Sequence, residues 1–143
     1  MNLLKPILED AGALASLRRD IHAHPELGYQ EERTSALIAE TLSAWGIPVH
    51  RGLGGTGVVG IVRNGGGARA VGLRADIDAL PVTERNTFAH ASVHAGRMHA
   101  CGPTATPPCC SRRLAIYPAS GTSTVRCTCC SSRPKKAAVA HGR

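Results

Sequence analysis

Apolar residues recur at helical spacing in two stretches near the start of the chain. Leu3, Leu4, Ile7, Leu8, Leu14 and Leu17 stay close to a helical period, which predicts a helix over Leu3–Arg19. His24-Pro25 breaks the pattern, because the residue before a proline is pushed out of the helical region. Gln30–Trp45 predicts a second helix. Its apolar stripe is Leu37, Ile38, Leu42 and Trp45, its polar side carries Glu31, Glu32 and Glu40, and Gly46 is a natural stop.

The pattern then changes to short apolar runs. Gly57–Val62 and Ala68–Leu73 read as two paired strands, with Asn64-Gly65-Gly66-Gly67 as the turn between them. Two helices followed by strands that end in polar residues predict an α/β domain. Residues 84–101 read as a loop. After Gly102 the periodicity collapses. Pro103, Pro107, Pro108 and Pro118 interrupt regular structure, so a largely irregular tail is expected over 103–143.

Charge divides the chain at the same place. The net charge of +7 would suggest a nucleic-acid partner, but residues 1–101 hold 10 basic and 10 acidic side chains. The excess comes from Arg112, Arg113, Arg126, Arg133, Lys135, Lys136 and Arg143, in a segment with no acid. Cys109, Cys110, Cys127, Cys129 and Cys130 also lie there, and Cys101 stands at the junction. No stretch approaches the roughly 20 apolar residues of a membrane helix. The first ten residues do not pattern as a secretory signal. A cytoplasmic protein is expected, with no nucleic-acid or membrane partner, and a disulfide framework is not.

Asp76-Ile77-Asp78 places two carboxylates on one side of an extended segment. Such a pair could bind a metal or orient a metal-bound His. A solvated turn with a capping Asp fits the same spacing, and short motifs of this kind are weak. His99-Ala100-Cys101 offers an imidazole and a thiolate, both good ligands for zinc. A lone buried Cys is more often a small apolar residue. His90 and His94 read as loop residues without a role. His22-Ala23-His24-Pro25-Glu26 reads as a helix end and tight turn held by hydrogen bonds. Gly52-Leu53-Gly54-Gly55-Thr56-Gly57 reads as a β-turn, because no Lys and no clear helix follow it.

Taken in order, these segments are far more specific. Arg18-Arg19-Asp20-Ile21-His22-Ala23-His24-Pro25-Glu26-Leu27-Gly28, with Glu31 and Thr34, is one segment. Gly72-Leu73-Arg74-Ala75-Asp76-Ile77-Asp78-Ala79-Leu80-Pro81 is a second, and Asn86-Thr87-Phe88-Ala89-His90 and Met98-His99-Ala100-Cys101-Gly102 follow. Residues 1–102 thereby resemble the start of the catalytic domain of the hippurate hydrolase branch of the aminoacylase-like metallopeptidases. The resemblance implies hydrolysis of the amide of N-acyl amino acids by a divalent metal pair, zinc, manganese or similar. In that chemistry two metals clamp the carbonyl and activate a bridging water, with a Glu as general base. Cys101 falls on the family's metal-binding Cys. Asp78 falls on the acidic residue that supports the metals and the catalytic Glu. Asp76 shares the motif without an assigned role.

The resemblance stops at Gly102. The family continues His-Asp-Gly-His-Thr-Ala-Met-Leu-Leu, its first His a metal ligand, where this chain has Pro103-Thr104-Ala105-Thr106-Pro107-Pro108-Cys109-Cys110-Ser111. Codons for these residues, read with the frame moved by one base, permit Asp-Gly-His-Thr-Ala-Met-Leu-Leu. The same frame over Thr122–Gly142 permits Phe-Asp-Gly-Thr-Val-His-Leu-Leu-Phe-Gln-Pro-Ala-Glu-Glu-Gly. Pro134-Lys135-Lys136 then stands where the family carries its Glu–Glu pair. One missing base near the codon for Pro103 accounts for the change in charge, Cys and Pro together. The expectations are an inactive, poorly stable chain that does not retain the metal pair, and oligomers only of an intact protein. The rival readings are a small Cys-rich metal- or nucleic-acid-binding protein built on the tail, and a non-catalytic binding fragment.

Overall fold

The computed structural model describes residues 9–63, 70–100 and 124–130. They form two helices, α1 (Ala11–Ala23) and α2 (Glu32–Ala44), and four strands, β1 (Val49–Leu53), β2 (Gly57–Val62), β3 (Ala70–Asp76) and β4 (Thr124–Cys130). The strand order is β1-β2-β4-β3. β1 and β2 are antiparallel, β2 and β4 antiparallel, and β3 and β4 parallel, so the sheet is mixed.

Helix α2 starts where a distant carboxylate satisfies its first amides. Glu26 accepts from Arg33 N at 3.0 Å and Thr34 N at 2.7 Å, which removes two of the orphan donors at a helix start and suits its positive end. It stops at Gly46, whose φ of +71° is left-handed. There Gly46 N bonds Ser43 O and Ile47 N bonds Leu42 O, the paired bonds of a Schellman stop. Ile38, Ala39 and Leu42 then pack with Ile47 on Val58, Val62, Ala75 and Ile77. Helix and sheet approach closely at Gly60, where a Cβ would lie 3.2 Å from both Leu42 and Ile47 side chains.

Several expectations change. The first helix runs over Ala11–Ala23, four residues beyond the expected end, and the start of the expected span lies outside the described residues. Trp45 is not in the buried stripe. It stands 36% exposed at a groove lined by Leu14, Leu17 and Thr41. Glu31, expected on the polar side of α2, is fully buried, and its Oε2 accepts from Thr56 Oγ1 at 2.7 Å. The Gly52–Gly57 segment covers the end of β1, the turn of the β1–β2 hairpin at 54–56 and the first residue of β2, with left-handed Gly54 and Gly55 in the turn.

The largest difference concerns the strands expected to pair. β2 and β3 do not pair with each other, because β4 lies between them. The tail expected to be irregular thus contributes a strand over 124–130; its remaining residues lie outside the described ones. The physical reason is a period-two alternation. Val125, Cys127 and Cys129 hold register with Val62, Gly60 and Val58 on one side and with Val71, Leu73 and Ala75 on the other.

Leu42 is fully buried and Leu53 is 58% exposed. Leu42→Ala is expected to cost about 2–5 kcal/mol and Leu53→Ala no more than about 0.5 kcal/mol. Urea unfolding of the two variants checks this, and equal losses would contradict the core assignment.

Candidate functional site

The site region is built on the segment that leaves β3. Ile77 and Ala79 are buried at 1% and 3% exposure, so Asp78 between them turns the other way and is half-buried. Main-chain bonds grip this segment from both sides. Ala79 N bonds Glu26 O at 2.7 Å, and Leu80 and Met98 exchange two bonds of 3.0 Å. The second grip sets His99 beside Asp78.

The two carboxylates of the Asp76-Ile77-Asp78 motif have different surroundings. Asp76 is held by Arg74 Nη2 at 2.7 Å, with both side chains about half exposed. That ion pair ties Asp76 to its own strand. Asp78 also acts electrostatically on His99. Cys101 lies outside the described residues.

His99 is 5% exposed, and neither ring nitrogen has a well-aligned hydrogen-bond partner among the described residues. Burial pushes its pKa down to about 4, and the nearby His22 charge pushes the same way. The Asp78 carboxylate, a hydrogen bond to the Asp78 main chain, and Glu26 pull in the other direction. The ring is therefore neutral at pH 7.

His22 is the hub that sequence spacing did not reveal. Its ring lies 5.6 Å from Phe88, 5.8 Å from His90 and 6.2 Å from His99, centre to centre. Its Nε2 is 3.0 Å from Glu84 Oε1, and both side chains are buried. Ser92 N donates to Glu84 Oε2 at 2.6 Å and Asn86 Nδ2 to Oε1 at 2.8 Å. Burial raises the Glu84 pKa, but the hydrogen bonds from His22, Asn86 and Ser92, with the His22 charge, outweigh it and hold the carboxyl at about 2. The clamp fixes the loop of 84–92 to the end of α1. His24 is structural, as expected: its Nδ1 donates to Asp20 O at 2.9 Å. Asp20 in turn receives Arg33 Nη2 on both oxygens.

Among the described residues, no group of three His, Cys, Asp or Glu side chains converges to hold an ion. These residues do not fit a metal pair. The orphaned nitrogens of His99 do have the donor chemistry of a borderline divalent ion.

No family profile matches the sequence. Individual relatives do. The chain is 42% identical over 102 residues to a hippurate hydrolase of Campylobacter jejuni, covering 71% of this chain and 27% of the relative. It is 46% identical over 85 residues to an N-acyl-L-amino acid amidohydrolase of Geobacillus stearothermophilus, covering 59% and 23%. Among solved structures, YxeP of Bacillus subtilis, a dinuclear metal-binding peptidase of the M20 family, matches with TM-score 0.74 and 35% identity over 82% of this chain and 34% of that one. A putative aminohydrolase of methicillin-resistant Staphylococcus aureus matches with TM-score 0.83 and 32% identity over 90% and 36%. The fold is that of an α/β metallopeptidase domain, in part. The matched portion of the chain belongs to the aminoacylase-like metallopeptidases, and it spans about a quarter of the length of its curated relatives.

Loss of the Glu84 charge should weaken the clamp. A carboxyl held below its ordinary value contributes stability that is full above about pH 4.5 and lost as pH falls toward 2. Glu84→Gln is expected to lower Tm at pH 7 and to flatten its fall between those values. An unchanged acid profile in the variant would contradict the assignment.

Proposed function

We propose that this chain is the N-terminal part of the catalytic domain of a metal-dependent amidohydrolase acting on N-acyl amino acids, read out of frame after Gly102. The observation that carries the reading is the break itself: a chain 42% identical over 102 residues to a hippurate hydrolase departs from the family motif directly after Cys101-Gly102, and codons for the residues that follow permit that motif in a frame shifted by one base. The family's metal pair, when bound, polarises the amide carbonyl and supplies an activated water. On this reading Asp78 orients the metal-binding groups and Cys101 is a ligand. The family's other machinery is replaced. Pro103 has no imidazole, and Lys135-Lys136 present cations where the family has two carboxylates. Two ammonium groups cannot serve as general base and cation ligand together. The 143-residue chain is therefore inactive as an amidohydrolase.

The genetic code supports the same reading for β4. Apolar residues such as Val and Leu have U in the middle of the codon. Moved by one base, that U stands first, and UGU or UGC is Cys. The shifted frame permits Val, Leu and Leu at Cys127, Cys129 and Cys130. Cys packs as a small apolar residue, so a shifted strand keeps its apolar alternation and its length. The register of Cys127 and Cys129 with Gly60 and Val58 agrees with that.

The test is hydrolysis of hippurate and N-acetylglycine with Zn(II) or Mn(II), read as free glycine. The chain as given is expected to release none above background, and the chain encoded with one base restored is expected to turn over. Metal-dependent turnover by the given chain would contradict the proposal.

A further inference from the structure

We propose that the cleft between the start of α2 and the β1–β2 hairpin is a binding site for a zwitterionic α-amino acid, with Arg51 taking the carboxylate and Glu32 the ammonium. This goes beyond the amidohydrolase reading and is independent of it, because every residue of the cleft precedes the break after Gly102.

The cleft has a volume of about 510 Å³ and is lined by Glu32, Ser35, Arg51, Gly52, Gly55 and Thr56. Small-molecule sites commonly hold about 300–1,000 Å³. None of the six residues belongs to the region around Asp78 and His99. One wall is the glycine-rich segment that the sequence reads as a bare β-turn. Gly52 and Gly55 have φ of +86° and +101°. Side chains rarely tolerate those conformations, so the main chain itself forms that wall. A Cβ at either position would meet nothing within 4 Å, which leaves the wall open to a ligand.

The charges decide the class of ligand. Arg51 and Glu32 are both exposed, and among the described residues neither is engaged in an ion pair. A guanidinium presents forked donors that match a carboxylate. The Glu32 carboxylate only accepts, which suits an ammonium. Thr56 adds to the same preference. Its hydroxyl donates to the fully buried Glu31 Oε2 at 2.7 Å, so toward the cleft it can only accept. Ser35, 3% exposed, brings a hydroxyl that can donate or accept. Phosphate would meet the Glu32 charge, and a simple amine would leave Arg51 without a partner. A small molecule carrying both charges satisfies both ends of the cleft.

The test titrates the full ¹⁵N-labelled 143-residue chain with glycine and follows its amide spectrum. The expected result is a saturable shift of the Gly52, Gly55 and Thr56 amides, with acetate, methylamine and inorganic phosphate each far weaker. Arg51→Gln and Glu32→Gln are each expected to weaken glycine binding by about tenfold or more, the loss of one charged hydrogen-bond partner. The same spectrum reports whether each variant folds; if one does not, the discrimination shown by the wild-type chain decides alone. No saturable shift up to the solubility limit of glycine would overturn the proposal. So would acetate, methylamine or phosphate binding as well as glycine, or undiminished glycine binding in either folded variant. Because the readout is binding rather than turnover, it can fail while the amidohydrolase reading stands, and the reverse.

Discussion

Everything at the site depends on how one short extended segment is held. Residues 77–80 leave β3 and are gripped on one side by Glu26 O and on the other by Met98. Each such main-chain bond contributes only about 0.5–1.5 kcal/mol net, but together they fix a register. That register buries Ile77 and Ala79, faces Asp78 away from the core, and brings His99 to it. A slip by one residue would exchange these faces and bury the carboxylate. The buried His22–Glu84 pair secures the other end of the same loop.

The parts legible in the sequence were those with a period. Helix α2 and strand β2 follow from their apolar spacing, and β2 falls on the expected residues 57–62. β1 was not legible: His50, Arg51 and Gly52 interrupt its apolar positions, and it is held by pairing with β2 rather than by its own pattern. β4 was hidden by its setting. Its proline-rich, acid-free neighbourhood reads as irregular, although Val125, Cys127 and Cys129 alternate as a strand once Cys counts as apolar.

The site shows the same division. Asp78 and His99 sit in motifs that spacing could flag. The His22–Glu84 pair joins residues 62 apart, and no local signal marks it. Glu31 was misplaced for a related reason: helical periodicity assigns a side, but a carboxylate at the start of a helix can turn inward when a hydroxyl such as Thr56 meets it. Tertiary partners decided each case where the sequence reading and the structure part.

The central proposal is that the family-like part of this chain is followed, after Gly102, by a segment read in another frame. Sequencing the encoding DNA across codons 95–143 tests it most directly. The account predicts that one added base near the codon for Pro103 restores His-Asp-Gly-His and the Glu–Glu pair in a single open frame. A confirmed frame in which no one-base shift reads through both motifs would contradict it, and the Cys-rich tail would then stand as a sequence in its own right.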